Sequence, residues 1–421
     1  MSFDDPATGG SFMKKMRYFA SAIVLAATAV SMPAQAVTFV LNNTGGAGDG
    51  TQARIGFNIA TLYWSSVLRD NAVINLDIGF RALAPNVLGS TGSTRTLLSM
   101  TQGYAALAAD ATSALDRTAV ANLSPLGASV LGNGFGAVSV TTNALNAQGN
   151  GYIDTATRTD NDGSINNSTL AVTSASAKAL GITTDVNGRA VNYAASDGSI
   201  TFSNEYNFDF DPTNGIAANA IDFIGVAIHE IGHALGFVSG VDSYDAYTAP
   251  GAANRVTGGL EGYVVASQLD LFRYGKPGTL DWSTQGVPYF SIDGGQNQLF
   301  GDSRFSTGVA NGDGRQASHW KDSVAGAPQL GILDPTSAYG QMQDVTALDL
   351  AAYDAIGYNV GFDVLANSNY RFTTADAYRS FAALAAVPEP AVWLQMILGF
   401  GVIGGALRYR RRRTAVRFAT A

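Results

Sequence analysis

The 421-residue sequence predicts an α+β fold organised around one central helix. Residues 51–69 place apolar side chains at helical spacing, and residues 73–80 then alternate apolar and polar side chains with the period of a half-buried strand. Residues 219–237 carry a second apolar stripe at helical spacing. A helix followed by a strand indicates an α+β layer, so we expect a mixed, twisted sheet packed around the central helix.

The remaining body is less regular, because Gly, Asn, Ser and Thr are frequent and mark turns and loops. Between residues 88 and 167 the pattern supports only a helix around 104–115. A short helix is predicted at 174–180, and the alternation over 200–210 predicts a strand or hairpin that leads into the central helix.

The central helix has recognisable ends. Its apolar stripe is formed by Ile224, Ile228, Ile231 and Leu235. Asn219 or Asp222 can cap its start, and Gly236 can end it in a left-handed conformation.

The N-terminus has the features of a secretory signal peptide. Basic residues at 14, 15 and 17 precede an apolar run at 18–32 and the small-residue triplet Ala34-Gln35-Ala36. We therefore assign residues 1–36 to a signal peptide and Val37 to the mature N-terminus of an exported protein. Acidic residues before Met13 suit a signal peptide poorly, so Met13 is an alternative start.

The C-terminus combines Pro388-Glu389-Pro390, an uncharged run at 391–407 and an arginine block at 408–413, ahead of a tail at 414–421. Seventeen helical residues reach about 25 Å, enough for a thin bilayer. The run is therefore predicted to be a transmembrane helix in the inner membrane, with the arginines on the cytoplasmic side. Residues 361–387 then form a spacer with at most one short helix. In the simplest interpretation, this helix is a C-terminal anchor that is never cleaved from the protein.

The amino-acid composition limits the metal ligands, nucleophiles and partners that this protein can use. The chain has no cysteine, which excludes disulfides, thiolate zinc ligands, thiol nucleophiles and a cysteine switch. Residues 37–387 carry 16 Lys and Arg against 30 Asp and Glu, a net charge of −14, which argues against nucleic acid as a partner. A metal site in this protein must use histidine and carboxylate ligands.

Such ligands occur in the central helix as His229-Glu230-Ile231-Gly232-His233, an HExxH motif. Histidines four residues apart on a helix lie one turn apart on one face, where both can bind a single ion. Glu230 is rotated by about 100° from His229, so it can touch a water on that ion without being a ligand. The spacing predicts zinc bound by His229 and His233, with Glu230 as the catalytic base. A helix with two fortuitous histidines is the alternative.

Catalytic zinc takes a third protein ligand and keeps one position open. His319 is the only histidine outside the helix, and it precedes a turn at 331–335 that could lie under the metal. Rival ligands are Asp242 and Asp245, just after the helix, and Glu261. His319 ranks first and Asp242 second.

Residues 229–237, HEIGHALGF, resemble the HExxHxxG consensus of the metzincin metallopeptidases. The position of the usual third ligand is Ser239, so the pattern is more similar to leishmanolysin-type enzymes, in which a distant histidine takes that role. This resemblance implies a zincin-like catalytic domain with His319 as third ligand. The methionine turn beneath the zinc has Leu333 as its counterpart, with Met342 nearby.

On a larger scale, residues 40–360 resemble bacterial PEP-CTERM metalloproteases through the segments DFIGVAIHEIGHALGFVSGVD, ASHW and TALDLAAYDAIGY. The tail at 388–413 resembles the PEP-CTERM sorting signal of exopolysaccharide-producing Gram-negative bacteria. That resemblance implies cleavage of the anchor by an exosortase and delivery to the cell envelope, the cell surface or the extracellular matrix.

Together these features predict an exported zinc endopeptidase, with residues 37–360 as its catalytic domain and proteins or peptides as substrates. Glu230 takes a proton from the attacking water. Tyr339 is a candidate donor to the developing oxyanion or a zinc ligand in the resting state, and a packed loop tyrosine is the favoured alternative. The alternative is a non-catalytic structural or adhesive protein of the polysaccharide matrix.

A second metal is suggested by Asp160, Asp162, Gly163 and Ile165, which match part of a calcium-binding loop. Arg158 stands where that loop normally has an acidic ligand. Calcium is therefore a candidate cofactor, and a solvated turn is the favoured alternative.

Overall fold

The computed structural model describes residues 36–132, 134–147, 152–193, 196–248, 259–324 and 327–386. In these ranges the α-helices are α1 (Gln52–Val67), α2 (Met100–Asp110), α3 (Ala114–Ala121), α4 (Ile165–Ser168), α5 (Ser174–Ala179), α6 (Phe223–Leu235), α7 (Val241–Thr248), α8 (Ala347–Ala355) and α9 (Thr374–Ala385). Short 3₁₀ turns cover Pro212–Asn214, Leu269–Phe272 and Leu365–Asn367.

The strands are β1 (Thr38–Gly45), β2 (Val73–Arg81), β3 (Gly89–Ser93), β4 (Arg95–Ser99), β5 (Val140–Leu145), β6 (Tyr152–Asp160), β7 (Thr169–Thr173), β8 (Gly198–Ser203), β9 (Phe208–Asp209), β10 (Ile221–Asp222), β11 (Arg273–Lys276), β12 (Thr279–Asp281), β13 (Tyr289–Phe290), β14 (Asp344–Thr346) and β15 (Arg371–Thr373). The predicted α+β class is confirmed, and the finer zincin-like architecture stays a prediction.

Two mixed sheets organise these strands. The first has the order β1-β2-β8-β3, in which β1, β2 and β8 are parallel and β3 is an antiparallel edge strand paired with β8. The second has the order β13-β11-β12-β5-β6. The pairs β4-β7, β9-β10 and β14-β15 are separate two-stranded ladders. The first sheet contacts α6 through β3 and β8, so it places an edge strand beside the central helix.

Packing between α1 and α6 forms part of the buried core. Phe57 of α1, Phe202 of β8 and Phe223 of α6 meet with ring centroids 4.8–5.3 Å apart. The indole Nε1 of Trp64 donates to the carbonyl of Ile228 at 3.2 Å. These contacts fix α6 against α1, because close-packed aromatic rings leave few alternative arrangements.

Most predicted elements occur, with shifted boundaries. The helix expected at 51–69 is α1. Its buried face centres on Phe57 and Trp64, and the apolar Ile55 is exposed. The helix expected around 104–115 is two helices, because the Ser113 side chain caps a new start at α3. The strand at 73–80 and the short helix at 174–180 are confirmed as β2 and α5.

The segment predicted as one strand or hairpin at 200–210 is also divided. Strand β8 ends at Ser203, and β9 at Phe208–Asp209 pairs with β10 instead of with β8. The apolar residues of the predicted alternation are buried in β8, where Ile200 and Phe202 are fully buried. The later apolar residues line the approach to α6, since Phe210 contacts Phe223 with centroids 4.6 Å apart.

The stretch predicted as a spacer, 361–387, is packed in its described part. Strand β15 pairs with β14, and the twelve-residue helix α9 packs against α1. The amide of Gly361 donates to the carbonyl of Val67 at 2.8 Å. The folded body therefore continues to the end of α9, and the boundary predicted at residue 360 is corrected.

The predicted signal peptide, apart from Ala36, and the predicted sorting segment and tail at 388–421 lie outside the described residues. Within the described ranges, no helix combines the length and the apolar character needed to cross a membrane.

Candidate metal centre

Helix α6 has the ends that the sequence predicts. The Asp222 carboxylate accepts from the amide of Gly225 at 3.0 Å, so Asp222 rather than Asn219 caps the start. Gly236 ends the helix with φ +125°, a conformation that favours glycine. The four residues of the apolar stripe are buried in the core, and His229 and His233 lie on another face of the helix.

The side chains of His229, His233 and His319 converge. Their Nε2 atoms form a triangle with sides of 3.0 Å between His229 and His233 and 3.2 Å from each of these to His319. His319 is 86 residues from His233 in sequence. The three histidines form a group that could hold a metal ion.

Backbone carbonyls orient each imidazole. The Nδ1 atom of His229 lies 2.7 Å from the carbonyl of Ile332, and that of His233 lies 2.7 Å from the carbonyl of Phe237. Nδ1 of His319 lies 3.2 Å from the carbonyl of Gln316. Because a carbonyl only accepts, each Nδ1 carries the hydrogen, and a neutral ring then presents an Nε2 lone pair to the centre.

The electrostatics of the triangle favour a cation. Burial lowers the pKa of His229 to about 3 and that of His233 to about 4, and burial beside both rings holds the pKa of His319 well below its usual range. Three neutral rings therefore face each other with unprotonated nitrogens, an arrangement that a bound cation stabilises.

The donor set also fits zinc. Two nitrogens bound at 2.0–2.1 Å with tetrahedral angles are about 3.4 Å apart, close to the sides of this triangle. Three imidazoles without a fourth protein ligand are a known set for catalytic zinc.

Glu230 lies on the same helix beside the edge strand β3. The residue is 5% exposed, and its Oε2 accepts from the hydroxyl of Thr91 at 2.6 Å. Burial raises the pKa of the Glu230 carboxyl to about 7, against the hydrogen bond from Thr91, which lowers it. A carboxyl group with this pKa can take up or release a proton near neutral pH.

The loop that carries His319 is held by Asp242, the residue ranked second as a zinc ligand. The Asp242 carboxylate accepts from the amide of Ala317 at 2.6 Å, from the amide of Ser318 at 3.2 Å and from the Ser318 hydroxyl. The amide of Ser239 donates to the same hydroxyl at 2.8 Å. Asp242 and Ser239 therefore connect the end of α6 to the His319 loop and are not part of the histidine group.

A second anchor is Asp349 of α8. It accepts from the indole of Trp320 at 2.8 Å, from the amide of Ile332 at 2.9 Å and from the amide of Leu333 at 3.3 Å. The Asp349 carboxylate thus fixes Trp320, which follows His319, and the turn whose Ile332 carbonyl contacts His229. Gly331 is needed in this turn, because an added Cβ would lie 2.2 Å from Asp349.

The turn at 331–335 contacts the HExxH helix, and its position under a metal stays a prediction. The carbonyl of Ile332 contacts His229, and Leu333 is fully buried against Gly232 of α6. Leu333 packs against the HExxH helix, and the other candidate, Met342, is half-buried.

Asp245 also lies outside the histidine group. Asp245 accepts from the amides of Val309, Ala310 and Asn311, and it therefore stabilises a loop. Tyr339 is 54% exposed, and its role towards an oxyanion stays a prediction.

Glu261 joins Asp160 and Asp162 in a second group that could hold a metal ion. Arg158 forms ion pairs with both Asp160 and Glu261, so a guanidinium already supplies positive charge to these carboxylates. Gly163 has a φ of +74°, a conformation that favours glycine. A calcium ion here stays a prediction.

Comparison with known proteins adds no identification. No protein-family model matches the chain, and no similar curated protein or solved structure was found.

Two residues of this site are absent from the sequence-based candidates, Thr91 and Gly89. Both lie on β3, whose sequence GSTGS lacks apolar alternation. A hydroxyl residue in a Gly- and Ser-rich stretch carries no signal by itself, because its role depends on pairing between distant strands.

Proposed function

We propose that this protein is a zinc-dependent endopeptidase that hydrolyses peptide bonds of protein or peptide substrates. The observation that carries the proposal is the convergence of three neutral histidine Nε2 atoms within 3.2 Å of one another, on the helix that also carries the buried Glu230. His229, His233 and His319 would hold the ion and leave one position for water or substrate.

Zinc, when bound, supplies Lewis acidity, which lowers the pKa of water and polarises a carbonyl. The residues of the chain perform the proton transfers. The Glu230 carboxylate takes the proton of the attacking water and then returns it to the leaving amine, as a general base and acid. The carbonyls of Ile332 and Phe237 hold two of the imidazoles in the tautomer that zinc needs.

Metal removal tests this function. The purified full chain should contain about one zinc per molecule and cleave an unfolded protein such as casein. Dialysis against a chelator should abolish cleavage and lower the thermal unfolding midpoint, since zinc binds only the folded site. One equivalent of zinc should restore both properties. A chain that binds no zinc, or that cleaves equally well without it, contradicts the proposal.

The same experiment separates the two predicted functions. A structural or adhesive protein of the polysaccharide matrix would bind zinc without cleaving any unfolded protein. The described geometry favours the peptidase, because a structural zinc site normally has four protein ligands and this group has three.

We further propose, from the sequence of the two ends, that the protein is exported and that an exosortase removes its anchor at the cell envelope. Replacing Pro388-Glu389-Pro390 by three alanines should leave the protein in the inner-membrane fraction of a PEP-CTERM-sorting Gram-negative host. The wild-type chain should yield a shorter form outside that membrane, detected by immunoblotting. Equal distribution of the two proteins would favour the unprocessed anchor.

A further inference from the structure

The edge strand β3 runs along the HExxH helix and directs every second residue towards it. Residues 89, 91 and 93 lie on one face of the strand, as expected for a period of two. Thr91 and Gly89 contact Glu230, and the Ser93 hydroxyl donates to the carbonyl of His233 at 3.3 Å. The strand therefore follows α6 from the predicted base to the second predicted ligand.

The hydroxyl of Thr91 lies 2.6 Å from Glu230 Oε2 and 2.9 Å from the Glu230 carbonyl. It has one hydrogen to donate, and the shorter contact is with the carboxylate, which is the stronger acceptor when ionised. This bond occupies one lone pair of Oε2, and it therefore restrains the orientation of the whole carboxylate.

Gly89 holds the carboxylate from its other side. An added Cβ at Gly89 would lie 2.5 Å from Glu230 Oε1 and 2.9 Å from its Cγ and Cδ atoms. Only glycine allows the strand to approach the carboxylate this closely, so the Glu230 side chain lies in a slot formed by the backbone at 89 and the hydroxyl at 91.

The position of the strand is itself well determined. Strand β3 pairs with β8 over five consecutive residue pairs, and Thr91 is opposite Ile200, which is fully buried. A slip of one residue would turn Thr91 away from Glu230, so the ladder fixes the hydroxyl relative to α6.

We propose that Thr91 is a positioning residue for Glu230, and that Gly89 provides the space in which the Glu230 carboxylate is held. This inference rests on the proposed peptidase function. A glutamate has three rotatable side-chain bonds, and a base displaced by about 1 Å can lose about 100-fold in rate. The hydrogen bond from Thr91 restricts those bonds before substrate binds.

Matched substitutions at Thr91 test the role of the hydroxyl. In the zinc-loaded full chain, Thr91→Val should lower kcat by about 10- to 100-fold with little change in KM or zinc content, because only the alignment of the base is lost. Thr91→Ser keeps the hydroxyl and should retain most of the activity. The proposal is overturned if Thr91→Val turns over like wild type, or if Thr91→Ser is equally impaired.

Two glycines of the same strand provide a second comparison. Gly89→Ala should lower kcat because the new methyl group displaces the carboxylate. Gly92→Ala is the control, since Gly92 is on the opposite face and an added Cβ meets nothing within 4 Å. If the two variants are equally active, Gly89 does not provide the space that holds the Glu230 carboxylate.

A third measurement needs neither zinc nor activity. In metal-free protein, a double-mutant cycle with Thr91→Val and Glu230→Leu reports the interaction of the two side chains through urea unfolding. A hydrogen bond to a charged group predicts a coupling of about tenfold or more in the unfolding equilibrium constant. Additive effects overturn the proposal. If this coupling is found but zinc-loaded wild type cleaves nothing, the proposed function fails and the catalytic role of Thr91 fails with it, although the contact stands.

Discussion

Glu230→Gln should lower kcat for cleavage of an unfolded protein by about 10²- to 10⁴-fold, the usual contribution of a general base. The variant should still bind zinc as wild type does, because Glu230 is not in the histidine group. Glutamine has the same shape and can accept the hydrogen bond from Thr91 through its amide oxygen. The loss of rate would therefore reflect the loss of proton transfer rather than a change in packing.

The measurement is steady-state cleavage together with zinc content and the thermal unfolding midpoint. Glu205→Gln is a control for the removal of a carboxylate, since Glu205 is exposed and lies outside both groups that could hold a metal ion. It should leave kcat unchanged. Full activity in Glu230→Gln would show that another group acts as the base and would remove the role assigned to this residue.

The parts of the site that follow local rules could be predicted from the sequence. Asp222 and Gly236 are a cap and a stop of ordinary type, and the spacing of His229 and His233 follows from the helical repeat. His319 could be chosen because the chain has only three histidines and no cysteine. The structure brings all three together.

Contacts between distant segments could not be predicted in this way. Asp242 was a plausible ligand because it follows the helix closely, yet its carboxylate faces the amides of the His319 loop. Whether an aspartate binds a metal or a backbone amide depends on the path of a loop 75 residues away. Strand β3 is a similar case, because GSTGS becomes a strand only through pairing with β8.

The face of α1 and the role of α9 show the same limit at the level of packing. A helical repeat fixes which residues share a face, but a helix that is apolar on several sides leaves its buried face to the neighbouring elements. Phe57 and Trp64 are buried because α6 lies against them, while Ile55 faces outward. Helix α9 is held by α1 and by the β14-β15 ladder. The sequence before α9 has no strong hydrophobic periodicity, so it does not indicate this packing.

His319→Ala should weaken zinc binding by more than about 100-fold, measured by competition with a chromophoric chelator. Even residues that only orient a ligand contribute about 10- to 100-fold to metal affinity, and His319 would be a ligand itself. With two histidines left, zinc would need a further water in place of a protein ligand. Circular dichroism should remain that of wild type, because Asp242 and Asp349 still anchor the loop on both sides of position 319.

Asp242→Asn distinguishes a ligand from a residue that holds a ligand in place. An asparagine keeps the shape but loses the charge that accepts two amides and a hydroxyl, so zinc affinity should fall by about 10- to 100-fold, less than in His319→Ala. If the order were reversed, or if His319→Ala bound zinc like wild type, Asp242 would be the third ligand, and the loop would have to reverse its hydrogen bonds when zinc binds. The two variants therefore decide between the alternatives that the sequence left open, because the proposed geometry allows only one order of affinities.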